Sequence, residues 1–151
     1  MFIFNALIQT RSNTLKLAEK LNTSELNLIP KGHNNNIIWH IGHMMASQQI
    51  LCYSRSGAEM RVSNELIEKY RKGTSPIGWK EEVPLQELSL LFIETANVFY
   101  DDFKAGKLSN YERYATASGV VLENIDNALA YSYGHENLHF GNIATLAKIV
   151  R

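Results

Sequence analysis

Apolar and small residues recur every three or four positions in four long stretches of this chain, and no stretch of comparable length alternates with period two. That pattern predicts helices that turn one face each to a shared core, rather than a sheet. The first segment runs from about Ile3 to Leu21, with Leu7, Thr10, Thr14 and Leu17 on the same stripe, and stops at Asn22-Thr23-Ser24. The second follows Pro30-Lys31-Gly32-His33, takes Asn34 or Asn35 as its cap, and continues to about Arg55 before Gly57. The third has Pro84 in its first turn, carries Leu85, Leu88, Phe92, Thr95 and Phe99, and ends at Gly106. The fourth spans about Val121 to Val150, with Ile125, Ala128, Ser132, His135, His139, Asn142 and Leu146 on one line.

The expected architecture is an all-α four-helix bundle forming a single domain over residues 1–151. Roughly 28 residues separate the second and third helices, enough to cross the length of a bundle and let those two helices run parallel. Within this crossover a short extra helix is expected from Ser63 to Arg71, capped by Ser63.

The fourth helix holds His135 and His139 in the run Gly134-His135-Glu136-Asn137-Leu138-His139. Residues at i and i+4 share a helix face with Cβ atoms about 5–6 Å apart, so two imidazoles there can bind one metal ion. The run fits the H-E-x-x-H template of zinc proteases, in which the glutamate works on metal-bound water. That template needs a further ligand downstream, and Phe140 to Arg151 contains no Asp, Glu, His or Cys. Glu136-x-x-His139 also has the spacing of di-iron bundles, but residues 35–55 contain no acidic partner. The better third ligand is on the second helix, where Trp39-His40-Ile41-Gly42-His43 offers His43 or His40, and Gly42 permits close approach of a neighbour. Cys52, the sole cysteine, is nine residues beyond His43 and points to the opposite helix face.

Fifteen Lys and Arg balance fifteen Asp and Glu, so overall charge provides no footprint for nucleic acid or an anionic membrane. With 45% hydrophobic and 20% charged residues, no run long enough to span a bilayer and no signal-like N-terminus, a cytoplasmic location is the default expectation. A homodimer is expected if an apolar face of the first or third helix stays exposed.

Asn36-Ile37-Ile38-Trp39-His40-Ile41-Gly42-His43, followed by Ser47-Gln48-Gln49, resembles the first metal-ligand helix of the DinB-like (YfiT-like) four-helix bundles. Gly134 to Ile143 is similar to the closing motif of that family, where a histidine pair completes a three-histidine site. Matched position by position, the resemblance implies metal ligands at His43, His135 and His139, with His40 as a neighbour. It also implies an up-down-down-up bundle and one divalent ion, nickel or zinc. Characterised relatives include transferases that use low-molecular-weight thiols such as bacillithiol, and mycothiol-dependent isomerases.

These readings lead to a metal-dependent enzyme acting on a small molecule, either a thiol S-transferase or a hydrolase. Three neutral imidazoles would leave the ion's charge undiminished to acidify a bound thiol or water. Glu136 is carried as a candidate catalytic residue, its other reading being a solvated position or a partner of a ligand. Two alternatives from other classes are a metal-binding protein without turnover and a dimeric helical interaction module with structural histidines.

Overall fold

Proline, glycine and asparagine punctuate the chain in the computed structural model, which describes all 151 residues. Between them form α1 (Phe2–Ala18), α2 (Thr23–Asn27), α3 (Ile37–Gln48), α4 (Asn64–Tyr70), α5 (Gln86–Lys104) and α6 (Ile125–Ile149). A hairpin pairs β1 (Tyr114–Ala115) antiparallel with β2 (Val121–Leu122). The fold is an all-α bundle of α1, α3, α5 and α6. No helix is long and apolar enough to cross a membrane.

Side-chain pairs give the helix directions. Phe4 packs on Phe99 and Phe103, while Arg11 reaches Phe92 and Thr95, so α1 and α5 are antiparallel. His40 meets His139 and Cys52 meets Ser132, so α3 and α6 are antiparallel as well. One apolar cluster joins Leu15 and Ala18 to Ile143 and Leu146, and the other joins Phe4 and Leu7 to Ile125 and Leu129. α1 and α6 therefore run in the same direction, which makes the bundle up-down-down-up.

A polar layer divides the two clusters. Arg11, fully buried on α1, donates from Nε and Nη2 to the carboxylate of Glu136 on α6, with the shortest contact at 2.6 Å. Its Nη1 donates to the carbonyl of Phe92 at 2.6 Å and to Oγ1 of Thr95 at 2.8 Å, both on α5. One guanidinium thus ties three helices at a fixed register, and its buried charge is neutralised by a bidentate partner.

Several local expectations are corrected. The second helix is not one α-helix to Arg55: α3 stops at Gln48, passes through a π-helical turn at Gln49–Tyr53 and a 3₁₀ turn at Ser54–Ser56, and ends at Gly57 with φ +65°. Its cap is Asn36, whose Oδ1 accepts from the Trp39 amide at 2.7 Å, rather than Asn34 or Asn35. The Asn22-Thr23-Ser24 stop of the first segment is also the start of α2, where Asn22 and Glu25 form a reciprocal capping box. The last helix begins at Ile125 behind the cap Asn124, because Val121 and Leu122 belong to the hairpin. The stripe on α5 is buried as expected, and α4 lies where the crossover helix was placed, with the Ser63 hydroxyl accepting from the Leu66 amide.

Candidate metal centre

Asn36 starts α3 so that Trp39, His40 and His43 enter the bundle within its first two turns, opposite the middle of α6. Gly42 completes the arrangement. The ring of Tyr70, from α4, occupies the space over Gly42 that any β-carbon would need. This close approach brings the Tyr70 carbonyl to 2.8 Å from Nδ1 of His43. A carbonyl only accepts, so Nδ1 carries the proton and Nε2 of His43 keeps its lone pair. The indole of Trp39 stacks on the same imidazole, with centroids 4.5 Å apart and planes 11° apart, and is itself held by a bond from its Nε1 to Oγ1 of Thr74.

On α6, Nε2 of His139 lies 3.1 Å from Nε2 of His135, as the i, i+4 spacing requires. Donor atoms of His43, His135 and His139 all lie within 4.8 Å of one another. Burial depresses the basicity of each ring. It pushes His135 down to about 4 and His139 down to about 2, with the neighbouring histidines adding to the effect. His43 is lowered by burial too, partly restored by the Tyr70 carbonyl and lowered again by Lys72. All three are neutral near pH 7, the form in which imidazole binds a cation. The residues fit a mononuclear divalent ion in donor type, protonation state and convergence.

A cleft of about 280 Å³ opens onto the cluster, lined by His43, His135, Ser47, Lys72, Tyr114 and Tyr131 together with Ile50 and Leu51. His139 is not among its lining residues and is 8% exposed. The hydroxyl of Ser47 lies 3.2 Å from Nε2 of His43. Lys72 has no carboxylate partner. The hairpin supplies the outer wall through Tyr114 and Thr116, and its Ser118 hydroxyl contacts the Tyr131 hydroxyl at 3.2 Å.

Glu136 is placed differently from the general-base expectation. Its side chain is 0% exposed and both of its oxygens accept from Arg11. This carboxylate fixes the rotation of α6 on α1, so that His135 and His139 face α3. The buried stripe of α6 accordingly passes through Glu136 and Ile143, with His135 half-buried and Asn142 exposed at its edge. Cys52 points away from the histidines, its Sγ 3.5 Å from Oγ of Ser132, and burial pushes its thiol up to about 12. The Ser132 hydroxyl thus faces Cys52 rather than an imidazole.

Two contributors leave little trace in the sequence. Arg11 looks like an ordinary surface cation until its partner is known, and only its position between Thr10 and Thr14 on the inward stripe hinted at burial. The Tyr70 carbonyl is a backbone atom at the end of a separate short helix and leaves no mark in residue type.

A four-helix bundle with three neutral histidines converging from two antiparallel helices beneath an open cleft defines a class of candidate metalloproteins. The sequence matches the family model of the DinB superfamily over residues 6–143, and the chain belongs to that superfamily. No curated relative matches it.

Proposed function

We propose that this protein is a metal-dependent enzyme that uses His43, His135 and His139 to hold one zinc or nickel ion, with thiol S-transfer as its reaction and hydrolysis as the simpler use of the same centre. The observation that carries the reading is the convergence of three neutral donors below a cleft, instead of a closed set of four. Structural zinc sites are closed, whereas catalytic sites combine three protein ligands with an open position. A divalent ion there would supply Lewis acidity, lowering the pKa of a thiol or water that reached it.

The chain's own residues have separable tasks. The Tyr70 carbonyl and Trp39 hold His43 in one tautomer and one orientation. Ile50, Leu51 and the two tyrosines make a partly apolar wall that accommodates the body of a small organic molecule. Lys72 contributes one positive charge to that wall, a contact for an anionic group. The resemblance of the two histidine motifs to those of thiol-using relatives supports a thiol as the first substrate to offer.

The test begins with metal content, by plasma mass spectrometry, of tag-free wild type, His43→Ala and His139→Ala. Near one equivalent in wild type, lost in both variants, supports the site. Loaded protein is then offered a panel of thiols with an electrophile, and separately ester and amide substrates in water. Turnover requiring a thiol and abolished by His139→Ala supports the transferase. Stoichiometric metal without turnover would instead make this a metal-binding protein, and absence of metal after incubation with zinc and nickel would overturn the centre.

A further inference from the structure

The Nδ1 atoms of His40 and His139 lie 2.8 Å apart, and the two rings are only 7% and 8% exposed. Two ring nitrogens at that separation share one proton, since neither two lone pairs nor two N–H groups can face each other so closely. In isolation either histidine could be the donor. The proposed centre removes that freedom. Nε2 of His139 faces Nε2 of His135, on the side where the three donor sets converge. An imidazole binds a cation only through a nitrogen that carries no proton. Once Nε2 of His139 is committed, its proton resides on Nδ1, and the acceptor in reach is Nδ1 of His40.

His40 must then carry its own proton on Nε2. That atom has no hydrogen-bond partner in the protein, and His40 lines a second cavity of about 300 Å³ with His33, Asn34, Asn35 and Asn142. The cavity is polar and large enough for water, which can accept from Nε2. The tautomers of both rings are therefore specified from the cluster outward to solvent.

We propose that His40 is a positioning residue of the metal centre: through Nδ1 it accepts the Nδ1 proton of His139, fixing the tautomer and ring orientation that present Nε2 to the ion. Metal-bound histidines commonly hand their second N–H to a carboxylate, a carbonyl or water, and losing that partner lowers metal affinity by about 10- to 100-fold. His43 uses the Tyr70 carbonyl in this way. For His139 the acceptor is a fourth histidine that is not itself a ligand. The inference rests on the three-histidine reading of the centre.

The test measures zinc affinity of the full-length, tag-free protein by competition with a chromophoric chelator, in wild type, His40→Leu, His40→Gln and His139→Ala. His40→Leu should still reach one equivalent at saturating zinc but bind about 10- to 100-fold more weakly. His40→Gln, whose side-chain oxygen can accept, should recover most of the loss, while His139→Ala should lose the site. Melting of each metal-free variant separates folding from affinity. Independently of any variant, ¹⁵N imidazole spectra of zinc-loaded wild type should show His40 protonated at Nε2 and His139 at Nδ1. Unchanged affinity in His40→Leu, loss of stoichiometry equal to that of His139→Ala, or a proton on Nδ1 of His40 would each overturn the assignment. A wild type that binds no zinc overturns the centre itself, and a zinc-binding wild type with an indifferent His40→Leu overturns the role of His40 alone.

Discussion

The backbone carbonyl of Tyr70 accepts from Nδ1 of His43 at 2.8 Å, while the ring of Tyr70 fills the space above Gly42, one residue away on α3. The same residue orients a candidate ligand and demands a glycine beside it. Alanine at position 42 would ordinarily favour a helix interior by about 1 kcal/mol. Here the added methyl meets an aromatic ring, so the sign reverses. Gly42→Ala is expected to cost about 1–3 kcal/mol, as overpacked substitutions do. It should also weaken zinc binding, because the ring that must shift and the carbonyl that orients His43 belong to the same buried residue. Urea unfolding with and without zinc checks both effects, and a stabilised Gly42→Ala would refute this account.

Arg11 and Glu136 are expected to behave as a unit. Removing one partner leaves a buried charge without compensation, a loss of about 3–5 kcal/mol. Arg11→Met and Glu136→Leu should each be destabilising on that scale. The double variant should be clearly more stable than the sum of the singles implies, since it buries no charge. Chemical denaturation of the four proteins in a double-mutant cycle gives the coupling, and additive losses would contradict the pairing.

Acid should destabilise the metal-free protein through its histidines. The folded-state values of His40 and His135 are lowered to about 4 from 6.5, so below about pH 6.5 the unfolded chain binds protons that the folded one refuses. The contribution of these rings is complete above the unfolded value and is lost as the pH falls toward the folded values. The urea midpoint should therefore drop between pH 6.5 and 5, before most carboxylates titrate. A His135→Gln, His139→Gln double variant should show a flatter profile. Zinc should raise the midpoint more at pH 7.5 than at pH 5, because protons compete for the same nitrogens.

Asn36 joins two elements by opposite ends of one amide. Oδ1 caps α3 through the Trp39 amide, and Nδ2 donates to the carbonyl of Asn27 at the end of α2, at 2.9 Å. Asn36→Ala should cost about 1–2 kcal/mol from the lost cap alone. Asn36→Asp keeps the cap acceptor and loses the donor, so its stability should fall between alanine and wild type. Thermal melts of the three proteins test the order.

The four bundle helices were legible because each repeats its apolar face over at least three turns, and helical period is a signal that accumulates with length. α2 has five residues and the hairpin strands two each, too short for any period to emerge. The π-helical turn after Gln48 was hidden for another reason: it shares its residue preferences with an α-helix and differs only in which carbonyl each amide reaches. At the site, His43, His135 and His139 stood out through spacing and motif. The task of Glu136 did not, because a glutamate next to a ligand reads as solvent-facing unless the arginine opposite is known. The His40–His139 contact joins residues 99 positions apart and depends on two rings turning toward each other, which spacing alone does not specify.

The crossover between α3 and α5 contributes the carbonyl of Tyr70, the ammonium of Lys72 and the hydroxyl of Thr74, none of which belongs to the four long helices. Connections tolerate changes of length and sequence that packed helices do not. The crossover therefore shapes both the seat of His43 and the charge at the cleft mouth, so replacing residues 71–80 with a relative's should alter the Lys72 charge and, through the loss of Thr74 under Trp39, loosen His43 as well.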